Sequence, residues 1–168
     1  MHLRRLGSCA AAAVVAVAPA AAIASVPRKA TNKPTTVIGT GHVKRGTVLV
    51  NSRGRTLYLF THDRSSSTCY RNCVKAWLPL IANGSVVAKT GAGLKQKLLG
   101  KTKRTDGKFQ VTYNHHPLYL FSCDKRAGDM KGQGLKQFGG SWYVVGKNGN
   151  ALKPPSGGGG CPGCPPGY

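Results

Sequence analysis

The sequence predicts a mainly β protein: a small antiparallel domain built from two tandem repeats, with one or two short helices. Three observations carry this. The stretch Leu57-Tyr58-Leu59-Phe60-Thr61-His62-Asp63 returns as Leu118-Tyr119-Leu120-Phe121-Ser122-Cys123-Asp124, 61 residues later. A match of that length inside one chain marks a duplicated unit. Short β-branched and aromatic runs flank both copies, and turn signals separate the runs. The 168 residues suffice for one domain of ordinary size plus appendages.

Residues 1–24 read as a secretory signal peptide. Arg4 and Arg5 form a positive start, an apolar run follows, and Ala22-Ile23-Ala24 supplies an A-x-A cleavage pattern. Pro19 breaks the apolar run, which is too short for a stable membrane anchor. Leu6-Gly7-Ser8-Cys9 resembles a lipoprotein cleavage box but precedes most of the apolar stretch. Cys9 is therefore read as part of the discarded peptide, and the mature chain as unlipidated. Residues 25–36 are polar and basic and read as a disordered lead-in.

The β domain is expected over residues 37–153, with units at about 45–80 and 104–150. Thr47-Val48-Leu49-Val50, the turn Asn51-Ser52-Arg53-Gly54 and the run from Thr56 to Phe60 read as a β-hairpin. Tyr58 and Phe60 share one face of its second strand, and Leu57 and Leu59 the other. Both faces are apolar, so both should be covered. Residues 68–77 suggest a short helix. It carries Cys69 and Cys73, four apart, and an exported protein should join them. Cysteines at that spacing on a regular helix meet only with distortion, which predicts a bent turn.

Residues 83–103 are rich in Gly and Lys, with a short basic helix expected over 93–99. Gly100-Lys101-Thr102 invites a phosphate-loop reading, but Gly93 and Gly100 enclose six residues where that motif needs four. The second unit has a strand at 108–113, a turn Asn114-His115-His116-Pro117, and the second motif strand. Trp142-Tyr143-Val144-Val145 is another strand, ending at the hairpin signal Asn148-Gly149. Residues 144–152 echo residues 48–57, so the end of unit two is expected to pair near the start of unit one. Residues 154–168, with Cys161-Pro162-Gly163-Cys164, read as a flexible tail.

The chain has 25 Lys and Arg against four acids, a formal charge of +21, or +19 once Arg4 and Arg5 are removed. It contains no Glu; the acids are Asp63, Asp106, Asp124 and Asp129. Such a balance suits polyanions, such as an anionic cell-envelope polymer, a lipid surface, or nucleic acid non-specifically; the alternative is a basic surface that serves solubility or lineage alone, since charge by itself identifies no partner. Lys95, Lys97, Lys101, Lys103 and Arg104 form the densest basic run.

These motifs resemble the bacterial family of secreted and lipoprotein repeats defined by Y-x-(F/W/Y)-x-x-D. The resemblance extends through Cys69, Cys73 and Trp77, then Arg104-Thr105-Asp106-Gly107, Gln110-Val111-Thr112-Tyr113 and Pro117-Leu118-Tyr119. It continues through Gly128-Asp129, Gly132-Gln133-Gly134 and Gly139-Gly140-Ser141-Trp142. It implies an extracytoplasmic location and a two-repeat domain, and no established activity. Three departures stand out: Leu78 where proline often follows the tryptophan, Cys123 beside Asp124, and His115-His116 in a turn that more often carries glycine.

Candidate ligand-binding positions are Tyr58, Phe60, Asp63, Trp77, Tyr119, Phe121, Asp124, Asp129 and Trp142. The repeated aspartates sit just past strand ends, where Asp accepts bonds from loop amides. The sharper alternative makes Asp63 and Asp124 a pair sharing a cation or an acid–base role. Calcium is disfavoured because no D-x-D-x-D cluster exists. His62, His116 and Cys123 form a weak candidate set for copper or zinc if the repeats bring them together. Cys69, Cys73, Cys123, Cys161 and Cys164 leave an odd thiol after cleavage. There is no Ser-His-Asp order, nucleophile elbow or H-E-x-x-H. The sequence thus supports a non-catalytic secreted or cell-surface protein without a cofactor, binding an anionic envelope component. The alternative is a metal- or redox-active envelope protein using His and Cys.

Overall fold

The computed structural model describes residues 34–153. Residues 1–33, which include the expected signal peptide with Cys9 and most of the expected lead-in, and residues 154–168, which include the expected tail with Cys161 and Cys164, lie outside the described residues. The elements in chain order begin with β1 (Thr35–Val43), β2 (Gly46–Asn51), β3 (Tyr58–Phe60), α1 (Cys73–Ala76), β4 (Trp77–Pro79) and β5 (Ser85–Ala88). A 3-10 turn (Gln96–Leu98) precedes β6 (Leu99–Lys103), β7 (Phe109–Tyr113), β8 (His116–Pro117), β9 (Tyr119–Phe121), β10 (Lys136–Gln137) and β11 (Gly140–Val144).

The two motif strands, β3 and β9, are neighbours at the centre of a five-stranded sheet ordered β10-β11-β3-β9-β4. They run antiparallel with Tyr58 opposite Tyr119, so a local two-fold relation passes between the tyrosines. It exchanges the outer strands as well: β11 of the second unit pairs with β3, and β4 of the first unit pairs with β9. Each unit therefore completes the other's sheet.

The exchange repeats in the backbone bonds beside the motifs. Leu57 N–H donates to Leu49 O, Leu49 N–H to Val145 O, and Val145 N–H to Leu57 O, at 2.9, 2.8 and 3.0 Å. In the second copy Leu118 donates to Val111, Val111 to Leu80, and Leu80 to Leu118, at 3.0, 2.8 and 2.9 Å. The echo between residues 48–57 and 144–152 thus corresponds to real pairing, and a Val48–Gly146 bridge extends it.

Alternation along the motif strands builds two cores, one on each face. Tyr58, Phe60, Tyr119 and Phe121 join Trp77, Trp142 and Val144 in the first. Leu57, Leu59 and Leu118 join Ile38, Leu49, Val111, Tyr113 and Val145 in the second. Covering both faces removes the polar-out alternation of a half-buried strand, which is why L-Y-L-F is apolar throughout.

Four local expectations are revised. Among the described residues the first strand starts at Thr35, two residues ahead of the expected domain start at residue 37, because β1 pairs in parallel with β5. The Gly/Lys-rich stretch hid that partner strand, whose edge is capped by the Gln96 side chain bonding Ala88 N and Val86 O. The expected helix over 68–77 is one turn, Cys73–Ala76, preceded by Arg71 at φ 52° and followed by β4. That bent path lets Cys69 and Cys73 form their disulfide. The basic helix over 93–99 is only the 3-10 turn, since Leu99 already pairs with Tyr113.

The departure from glycine at His115 has a visible cost. Asn114 and His115 span the β7–β8 turn with φ of 49° and 66°, a left-handed conformation that penalises side chains other than Gly. His115 is exposed. Replacing it with Gly relieves that penalty while increasing unfolded-chain entropy, so His115→Gly should raise stability by up to about 1 kcal/mol. Thermal unfolding checks this; a lower melting temperature would contradict it.

Candidate functional site

The Y-L-F-x-x-D residues meet through reciprocal bonds between the repeats. Tyr58 Oη donates to Asp124 Oδ2 at 2.6 Å, and Tyr119 Oη donates to Asp63 Oδ2 at 2.5 Å. Antiparallel pairing of β3 and β9 dictates the crossing, because each motif's aspartate lies at the end of the sheet where the other motif begins. Each aspartate closes its own turn, with Asp63 N–H donating to Phe60 O and Asp124 N–H to Phe121 O. The remaining carboxylate oxygens serve loops: Asp63 Oδ1 accepts from Thr68 N and Oγ1, and Asp124 Oδ1 accepts from Lys131 N. Asp63 and Asp124 are thus not a pair at one site. They are two separate loop anchors, 8% and 1% exposed.

The aromatic candidates stack between them. Phe60 lies on Trp142 with centroids 4.1 Å apart, Trp142 on Trp77 at 3.9 Å, and Trp77 on Phe121 at 4.3 Å. Tyr58 meets Trp77 edge-on and Tyr119 meets Trp142 edge-on. All six rings are buried, so the stack is core rather than an open aromatic platform. Gly132 borders it: a Cβ there would lie 2.5 Å from the Trp77 ring.

One residue read as surface charge is not at the surface. Arg104 is 3% exposed, so it does not belong with the basic run as a binding determinant. Its Nη1 donates to Ser67 Oγ and Gln110 Oε1 at 2.6 and 2.7 Å, and its Nη2 to Cys69 O at 2.9 Å. Its plane covers the Tyr70 ring at 4.4 Å. Tyr119 spends its only proton on Asp63, so at 2.8 Å Ser67 donates to Tyr119 while accepting from Arg104. A chain of hydroxyls therefore links a buried guanidinium to a buried carboxylate. In the sequence Arg104 was visible only as a member of the basic run and of the Arg104-Thr105-Asp106-Gly107 motif.

Asp129 is a loop organiser. Its Oδ2 accepts from Lys125 N and Arg126 N and lies 3.9 Å from Lys131 Nζ. These amide bonds hold its carboxyl below the ordinary range. His62 and His116 both lie in the field of Asp63, whereas Cys123 lies at the opposite end of the paired strands, at the position equivalent to His62. The candidate trio does not converge. Among the described residues, no three His, Cys, Asp or Glu side chains are placed to hold a metal.

A family described as a secreted repeat of unknown function matches residues 39–81 and 100–146, two copies that together cover more than half of the chain. The chain belongs to this family of secreted repeats. Comparison with curated proteins and with solved structures gave no match. Each copy in this secreted repeat protein supplies one motif strand, one anchoring Asp and one stacked Trp.

Three outcomes follow for the secreted repeat. Tyr58→Phe or Tyr119→Phe removes one donor from a buried carboxylate and should cost about 1–3 kcal/mol, measured by urea denaturation. Arg104→Ala strips a buried hub and should cost about 3 kcal/mol or more. An exposed, dispensable arginine would instead give no change.

The third concerns pH. Burial raises the carboxyls of Asp63 and Asp124 above the ordinary 3.8, against the opposing pull of their tyrosine and amide donors. Above 3.8 the folded state then binds more protons than the unfolded chain. The contribution of each group is complete below its unfolded value and declines as pH rises through its raised value. Wild type should therefore gain stability relative to Asp124→Asn as the pH falls from about 7 toward about 4. A gap moving the other way would place the carboxyl below its ordinary value.

Proposed function

We propose that this secreted protein is non-catalytic and holds an anionic component of the cell envelope, polymer or lipid surface, through its cationic exterior. One observation supports the reading most: the domain's negative charges are internally committed while its positive charges are not. Residues 34–153 contain all four acids and twenty of the 25 Lys and Arg, a balance of +16. Asp63 and Asp124 are buried, Asp129 binds loop amides, and Asp106 accepts from Lys108 N and faces Arg104 Nε at 3.5 Å. Of the cations, Arg104 is buried and Arg55 half-buried; the other eighteen are exposed. A surface of that kind attracts polyanions at long range and independently of their sequence.

Burial of the motif aromatics and of both motif aspartates is consistent with a scaffold that displays charge, not one that performs chemistry. Lys95, Lys97, Lys101 and Lys103 remain exposed around the 3-10 turn and β6. Arg104 must be left out of any charge reversal.

The reading is checked by affinity for anionic vesicles, wall polymer and DNA across a salt series. Binding should fall steeply beyond physiological ionic strength, where the Debye length is about 8 Å. Lys97→Glu with Lys101→Glu should weaken it with little change in melting temperature. A tight, salt-insensitive interaction abolished by Asp124→Asn in a normally melting protein would overturn the reading.

A further inference from the structure

We propose that a surface cavity of about 310 Å³ lined by Arg55, Lys75, Leu78, Ser122, Asp124 and Lys125 is a site for a phosphate dianion, free or as a phosphomonoester. The inference rests on the reading of the protein as an anion binder and names a place where one anionic group is held.

Position explains the convergence. Arg55 precedes β3, and Ser122, Asp124 and Lys125 follow β9; antiparallel pairing brings those two ends together. The equivalent end of the other repeat has His116 in place of Arg55, His62 in place of Cys123 and Arg64 in place of Lys125. Three cations surround the cavity at the Arg55 end against one carboxylate, an excess of two positive charges. A phosphate monoester carries about −1.5 to −2 near neutrality and matches that excess.

Each cation is anchored through structure the anion need not supply. Arg55 Nη2 donates to Phe121 O at 2.9 Å, and its backbone N–H to Asn51 Oδ1 at 3.0 Å. Lys75 sits on α1, whose first residue is disulfide-bonded. Ser122 N–H donates to Ala76 O at 2.8 Å, fixing β9's end against that helix. Lys125 N–H is held by Asp129 Oδ2 at 2.8 Å. Loops that are already ordered lose little freedom when a ligand arrives.

The charges there are also unspent. Among the described residues, the ion pairs are Arg104–Asp106 and Lys131–Asp129, and neither includes Arg55, Lys75 or Lys125. Arg55 Nε is buried with no hydrogen-bond acceptor. Asp124 already accepts from Tyr58 Oη and Lys131 N. A guanidinium, two ammonium groups and a serine hydroxyl suit a tetrahedral oxyanion with several acceptors. The volume is at the small end for ligand cavities, which fits one compact charged group and not a chain.

The test titrates full-length mature protein with inorganic phosphate, glycerol 3-phosphate, and vesicles of phosphatidylglycerol, reading amide shifts and calorimetric affinity. Lys75→Ala with Lys125→Ala is compared with Lys97→Ala with Lys101→Ala; all four lysines are exposed and the charge removed is equal. Melting curves confirm that both variants fold. Inorganic phosphate and glycerol 3-phosphate should both shift the Ser122 and Lys125 amides. The first variant should lose about tenfold or more in affinity and the second less than about twofold. Binding of glycerol 3-phosphate alone would assign the site to a phosphomonoester; equal binding of both would assign it to the phosphate group itself. Equal loss in the two variants, or vesicle binding without phosphate shifts at Ser122 and Lys125, would overturn the site and leave the broader reading standing. No binding of phosphate by wild type would overturn the site, and no binding of vesicles, wall polymer or DNA either would overturn both.

Discussion

The exchange of tyrosine and aspartate between repeats is the constraint on which the rest of the domain depends. The tyrosine that opens each motif strand can reach an aspartate only if the other motif strand lies beside it, antiparallel, with Tyr58 opposite Tyr119. A slip of one residue would send Tyr58 and Phe60 into the opposite core and place Leu57 and Leu59 among the tryptophans. Register, strand order and ring stacking therefore support one another. The hydroxyl–carboxylate bonds are charge-assisted and shielded from water, so leaving either partner alone would be costly.

The two halves solve the same electrostatic problem differently. A buried carboxylate needs donors. Asp124 finds them in Tyr58 and the Lys131 amide, and Tyr58 Oη accepts from Gly132 N. Asp63 finds them in Tyr119, Thr68 and, through Ser67, the guanidinium of Arg104. The position equivalent to Arg104 in the first unit is Val43, so that half has no buried cation and relies on the chain passing through Gly132. Gly132 must be glycine because its backbone lies against Trp77 while its amide serves Tyr58.

The duplicated heptads, their two apolar faces and the late echo of the first hairpin made the central sheet and its cores legible in the sequence. The exchange of outer strands was not. It depends on which edge each tryptophan strand joins, and Trp77 and Trp142 carry no local signal for that choice. Lys-rich strands such as β6 were hidden because their exposed face is polar and their neighbours are Gly-rich. Arg104 was misread for a related reason: a residue's charge is visible in sequence, but its burial is set by Ser67, Gln110 and the Cys69 carbonyl, two of which come from the other repeat. His62 and His116 reached one end of the sheet as the repeat allowed, and Cys123 went to the other because it is the symmetry mate of His62.

The scarcity of acids follows from the same architecture. Every aspartate has a structural partner that needs it: two tyrosines, the amides of 125 and 126, and the R-T-D-G turn. Only Asp106 and Asp129 reach the exterior, against eighteen exposed cations. Adding acids at the surface would lower the charge without touching the core, so the fold itself does not require a basic exterior. A domain that keeps eighteen exposed cations through two dissimilar repeats thus has a property separable from its stability. At physiological salt that charge acts over about 8 Å, so its effect is greatest where cations crowd together. The end of the sheet shared by Arg55, Lys75 and Lys125 is such a place, and the two-fold plan that built it supplies a less cationic counterpart, with His116 and His62, at the other end.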